Sequence, residues 1–191
     1  MKPSIELEYR ACISEKDFLR LKDFLVENGT TLGNDNKDTY FFIWEDKVIK
    51  VVSNPTTKKA KMSLKPGRIG KQSHFDEAEI TLATDQVDRA VQFCRNLKPD
   101  DTQFVYQFRT NYSYKGVEIA LKYTQSWGFH AELEMMLERI EEKDEADKKI
   151  KDVADELGLR IMSDDELASY TAKIDSGQKF GAYSKENFPY D

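Results

Sequence analysis

The sequence predicts an α+β protein: an antiparallel sheet with helices packed beside it. Three observations carry this prediction. Runs of alternating apolar and polar residues dominate the first two thirds of the chain. Many of these runs are joined by short turns, the pattern of hairpins and not of a doubly wound parallel sheet. The charges on the runs are themselves patterned, with acids arriving as Glu-x-Glu doublets. Of the 191 residues, 39% are hydrophobic and 34% charged, and 11 Phe, 9 Tyr and 2 Trp suffice to seed a core. One domain over residues 1–191 is therefore expected.

"IELEYRA" (5–11) reads as the first strand. "SEKDFLRLKDFLVENG" reads as a helix capped by Ser14, with Phe18, Leu21, Phe24 and Leu25 on one face and Gly29 at its end. "DTYFFIW" and "KVIKVVS" form a hairpin around Glu45-Asp46, and "KKAKMSLKP" alternates again until Pro66-Gly67. After the loop "GRIGKQSHF" comes the strand "DEAEITLA". "TDQVDRAVQFCRNL" is a second helix capped by Thr84, with Val87, Ala90, Val91 and Cys94 on one side. Three strands follow, "QFVYQFRTNYSY", "VEIALKYT" and "FHAELEMML", with Gly116 and Gly128 in the turns. From Arg139 to Gly158 the pattern is helical and highly charged, as expected of a solvated helix with i,i+4 acid–base pairs. Ser163 and Glu166 form a capping box for a last helix reaching Ile174. The aromatic tail (176–191) has no period: it either caps one end of the sheet or is loosely ordered.

Composition narrows the function. A net charge of −6 and a pI near 5.2 give no electrostatic footprint for nucleic acid. No stretch approaches the ~18 apolar residues of a membrane span. Cys12 and Cys94 lack metal-type spacing, no apolar segment of a secretion signal follows Met1, and a cytoplasmic protein with reduced thiols is expected. His74 and His130 are the only histidines, which disfavours a histidine zinc site or a Ser-His-Asp triad. Any metal would be held by carboxylates, as magnesium and manganese are. GRIG at 67–70 lacks the lysine and helix of a P-loop.

Side chains alternate across a strand, so Glu6, Glu8 and Arg10 share one face and Ile5, Leu7 and Tyr9 the other. Glu77 with Glu79, and Glu132 with Glu134, repeat the doublet; Lys50, Lys61, Lys65, Arg109, Glu118 and Lys122 add further charge. A plain solvated face explains any one such strand. Three doublets, in which acids repel along and across strands, point instead to a closed or nearly closed barrel with a wet, charged interior and an apolar outer face under helices. Bases inside would hold a polyanion, and the carboxylate pairs its divalent cations. Tyr40 and Tyr112 read as packing, and His130 as an outward or turn residue.

"ELEYR" resembles the Glu-x-Glu-x-Lys signature of the CYTH domain, the triphosphate tunnel metalloenzymes. The resemblance continues in order through Asp38-Thr39-Tyr40-Phe41, "VIKVV" with Lys50, "MSLKPGR" with Lys65, "DEAEI", "QFRTNY" with Arg109 and Tyr112, and "IALKYTQSWGFHAELEM". It implies an eight-stranded antiparallel β-barrel, the tunnel, over about residues 4–137, with a C-terminal helical segment over about 138–191. The chain departs from the family at Arg10 for lysine, Val52 for arginine, Phe75 for arginine, Gln107 for lysine and Lys122 for a metal-holding aspartate. Lys122 is then expected to neutralise Glu118.

The resemblance implies a metal-dependent phosphohydrolase of triphosphate compounds: inorganic triphosphate, a nucleoside triphosphate or thiamine triphosphate. Arg10, Lys50, Lys65 and Arg109 are the substrate-binding candidates. Glu8, Glu132 and Glu134 are the ligands of a first Mg2+ or Mn2+, and Glu77 and Glu79 of a damaged second site. Glu6 and Lys65 are the catalytic candidates, with Lys179 as another candidate base. Two alternatives stay open: a class IV adenylyl cyclase, or a degenerate tunnel that binds nucleotide or polyphosphate without turnover. The expected partner is a triphosphate-containing small molecule, without nucleic acid or membrane; the oligomeric state is open, with a homodimer among the options.

Overall fold

The computed structural model describes residues 5–66 and 78–190, with side chains from Leu7 to Lys65 and from Ala78 to Tyr190. In chain order the elements are β1 (Ile5–Cys12), α1 (Glu15–Asn28), β2 (Thr30–Asn34), β3 (Lys37–Ile43), β4 (Lys47–Asn54), β5 (Lys59–Pro66), β6 (Ala78–Leu82), α2 (Val87–Asn96), β7 (Asp101–Tyr114), β8 (Val117–Thr124), β9 (Gly128–Leu137), α3 (Lys143–Leu157) and α4 (Asp164–Asp175). The expected α+β class holds. Hydrogen bonding orders the strands β1-β9-β8-β7-β3-β4-β5-β6, with β2 on β7. This path is open among the described residues, so the closed barrel is not formed by the pairings seen. The chain separates into two compact units, Met1–Asn34 with Phe108–Asp191 and Asp35–Gln107, the division falling inside β7.

In the first unit, antiparallel register aligns Tyr9 with Leu133 and Ala11 with Ala131, and Leu133 with Ile119 on β8. This face is apolar, and Ala11, Ile119, Leu121, Ala131 and Leu133 are fully or almost fully buried. The helices supply the complementary faces. Ser14 accepts a hydrogen bond from the Asp17 N–H and starts α1, which buries Phe18, Leu21 and Leu25. Helix α3 buries Ala146, Ile150, Val153, Ala154 and Leu157 and wets its other side, where Lys148–Asp152 and Lys151–Asp147 form the expected i,i+4 pairs. It stops at Gly158, whose φ of 69° suits the left-handed C-cap. The Ser163–Glu166 capping box opens α4 as expected.

The tail is ordered and belongs to this core. Phe188 is buried against Phe108 and stacks on Tyr123 at 4.6 Å, while Tyr183 and Tyr190 donate hydrogen bonds to Glu15.

In the second unit, β3 to β6 form a meander with the first part of β7 beside β3. Phe42, Val51 and Ala60 face α2 and bury Val87, Val91 and Cys94 with them. Tyr40 packs at the edge of this core, 4.9 Å from Phe104, in the packing role expected of it. Lys50, Lys61 and Lys65 alternate with the core residues and so occupy the opposite face of the meander.

Candidate metal and phosphate site

The site is built on the polar face of the first unit. Cross-strand register sets Glu8 opposite Glu134 and Glu134 opposite Glu118, one row of three acids over β1, β9 and β8. The next row holds Arg10, Glu132 and Ala120, and the third Cys12, His130 and Lys122. Because the side-chain period in a strand is 2, the residues that bury the apolar face also fix these charges on the other. Carboxylate oxygens of Glu8, Glu132 and Glu134 lie within 4.8 Å of one another. Glu8 of the first doublet thus lies beside both members of the third.

Bases are interleaved among the acids. Arg10 Nε lies 2.7 Å from Glu8 and 3.2 Å from Glu132. Arg109 reaches Glu134 at 3.5 Å, Glu132 at 3.7 Å and Glu118 at 3.9 Å, while its Nε donates to Asn111 at 2.6 Å. Lys122 donates to Glu132 at 2.8 Å, and both residues are buried. The expected Lys122–Glu118 pairing is thus replaced by a Lys122–Glu132 pair: Glu118 lies opposite Glu134, two rows from Lys122, whereas Glu132 lies in the row next to it. Four carboxylates (Glu8, Glu118, Glu132, Glu134) against three cations (Arg10, Arg109, Lys122) leave one negative charge in excess.

The electrostatics follow from burial and order of contact. Burial, then the charge of Glu132, raises the Glu8 carboxyl above its ordinary range, and Arg10 only partly offsets this. Burial pushes Glu132 up as well, but Lys122 and Arg10 outweigh it and hold the carboxyl low. Burial lowers the Lys122 ammonium. His130 is 3% exposed, and burial followed by the Lys122 charge brings it down to about 4. Its Nδ1 lies 3.0 Å from the Gly128 carbonyl. His130 is therefore an inward residue of the polar face, and the outward or turn placement is corrected: it lies in register with both Cys12 and Lys122.

The remaining candidates divide between units. Lys50 and Lys65 lie half-buried on the polar face of the second unit, in register with Ser63 and Val48. Glu79 lies on that face too, exposed, in an ion pair of 2.6 Å with Lys61. Glu77 lies outside the described residues, as does the side chain of Glu6, whose backbone pairs with Met136. Phe75 and GRIG also lie outside them. Lys179 binds Gln125 at 2.9 Å. Tyr112 is buried in the first unit and packs, as expected.

The sequence reading misses one constellation. Trp127, in the β8–β9 turn, lies 5.2 Å under the Arg10 guanidinium and 5.0 Å from Tyr170 of α4. Only its proximity to the last doublet singles it out in sequence.

Three carboxylates of this reach form a donor set that suits a hard divalent cation, which takes oxygen ligands. The residues present therefore fit a magnesium or manganese ion, with Arg10 and Lys122 as competing partners of the same oxygens.

No protein-family model matches the chain, and no curated protein matches it. Solved structures do. A Pyrococcus horikoshii OT3 protein is 23% identical, with a TM-score of 0.57 over 83% of this chain and 94% of that one. A Hippeastrum adenylyl cyclase candidate, described as revealing a dominant triphosphatase activity, is 16% identical with a TM-score of 0.60 over 92% and 97%. A Vibrio parahaemolyticus adenylate cyclase candidate is 12% identical with a TM-score of 0.54 over 95% of each. The chain shares the fold of these proteins.

Proposed function

We propose that the chain is a metal-dependent phosphohydrolase acting on triphosphate compounds. The observation that carries this reading is the approach of Glu8, Glu132 and Glu134 to within 4.8 Å on a face that also bears two arginines. A plain solvated face would spread its acids; this one gathers them, burying Glu132 and half-burying Glu8 and Glu134. The closed tunnel, and the roles of Lys50, Lys65, Glu6, Glu77 and Glu79, belong to this proposal and rest on the sequence resemblance.

Phosphoryl transfer is chiefly positioning and charge stabilisation. Glu8, Glu132 and Glu134 would hold the magnesium or manganese ion. Bound there, the ion supplies neutralisation of phosphate-oxygen charge and a more acidic water. Arg10 and Arg109 donate to phosphate oxygens, and their planar forks can each bind two at once. Lys122 keeps Glu132 ionised and oriented. Asn111 accepts from Arg109 Nε and so sets its rotation.

A second reading has its own support. The buried Lys122–Glu132 pair occupies one carboxylate of the trio, as suits a domain that binds polyphosphate without turnover. A cyclase, the third reading, places a ribose oxygen for attack where the hydrolase places water.

The test is phosphate release from tripolyphosphate, ATP and thiamine triphosphate with magnesium and with manganese. Turnover that disappears in folded Glu8→Ala and Glu134→Ala supports the hydrolase. Saturable binding without release supports the binder, and cyclic AMP formed from ATP supports the cyclase. Neither binding nor turnover contradicts all three.

A further inference from the structure

We propose that Trp127 is a positioning residue for Arg10, fixing the guanidinium plane so that its two terminal nitrogens face a phosphate group as a fork. This rests on the phosphate-binding reading above. Arg10 Cζ lies 5.2 Å from the indole centroid, within the range where a ring face attracts a cation. Both carboxylate contacts of Arg10 use Nε, at 2.7 Å to Glu8 and 3.2 Å to Glu132. Its terminal nitrogens make no hydrogen bond among the described residues. The guanidinium is thus held at one edge by acids and on one face by a ring, with the opposite edge left to donate.

The indole is itself fixed. The Trp127 backbone N–H donates to Thr124 Oγ1 at 2.9 Å, and its backbone carbonyl accepts from the Tyr170 hydroxyl at 2.8 Å, which holds the residue that carries the ring. The ring packs against His130 at 5.4 Å and Tyr170 at 5.0 Å, and Tyr170 stacks on Phe180 at 4.2 Å. Helix α4 and the tail therefore brace a ring that braces Arg10. An unbraced arginine spreads over many rotamers and loses them on binding; a braced one has lost them beforehand. A lysine has no planar face to stack, so the device belongs to arginine at this position.

The test is a double-mutant cycle on the full chain. Tripolyphosphate affinity is measured by calorimetry for wild type, Trp127→Leu, Arg10→Lys and the double variant, with circular dichroism as the check on folding. Trp127→Leu is expected to weaken binding about tenfold beside Arg10, and by less than about twofold in the Arg10→Lys background. Trp127→Phe, which keeps a ring face, is expected to recover most of the loss. If Trp127→Leu does not fold, Trp127→Met, which also removes the ring face, decides instead in the two backgrounds: a loss confined to the Arg10 background is expected. Equal losses in both backgrounds, or no loss in either, overturn the proposal while leaving the phosphate site standing. Wild type that does not bind tripolyphosphate removes that site and this inference together.

Discussion

The Lys122 ammonium lies 2.8 Å from a Glu132 oxygen, and neither residue is more than 8% exposed. A charge pair this deep is costly to break, because the surviving partner keeps its desolvation penalty without compensation. Lys122→Met should therefore destabilise the protein by about 3 kcal/mol in chelator. The same change removes a competitor for Glu132, so manganese should raise the melting temperature of the variant more than that of wild type. Thermal unfolding with and without manganese checks both halves.

Glu132's neighbour on the polar face gives a pH test. His130 sits at about 4 in the folded chain, against an ordinary 6.5. The unfolded chain then binds a proton that the folded one refuses, so stability is full above pH 6.5 and falls as pH drops towards 4. The shift amounts to about 3 kcal/mol across that window. Urea midpoints in chelator between pH 7 and 4.5 should fall less steeply for His130→Gln than for wild type. Parallel slopes would contradict the assignment.

The tail offers a test of packing. A Cβ on Gly181 would lie 2.5 Å from the Tyr123 hydroxyl and 2.7 Å from the Thr124 carbonyl, closer than any tolerated contact. Gly181→Ala should cost about 1–3 kcal/mol by overpacking. Phe188→Ala, which empties a buried aromatic position, should cost about 3 kcal/mol. Urea unfolding reads both; near-zero changes would mean that residues 181–190 are not part of the core.

Much of this was legible in the residues. Alternation at Leu7, Glu8, Tyr9 and Arg10 correctly assigns β1 its two faces, and Ser14, Ser163 and Gly158 mark the helix ends, because these signals are local. Strand β2 escapes notice: "TTLGN" has no alternating apolar pattern, and a bulge between Thr31 and Gly33 shifts its register on β7. The partner of Lys122 and the burial of His130 escape for another reason. Both depend on which residues face each other across β8 and β9, and a single strand does not encode its neighbour's register. The tail's aromatics lack periodicity because they pack as single rings against Tyr123, Phe129 and Glu15, not as one face of an element.

Glu8, Glu132 and Glu134 form the proposed divalent-cation site. Manganese binding followed by electron paramagnetic resonance tests it most directly, since the signal of the free aqua ion falls as the ion binds. The expected result is saturable loss of the free signal in wild type, with Glu134→Gln, which keeps the shape and removes the charge, weakening binding at least about tenfold. Wild type that leaves the free manganese signal at its buffer level, or a folded Glu134→Gln that binds as tightly as wild type, would contradict it.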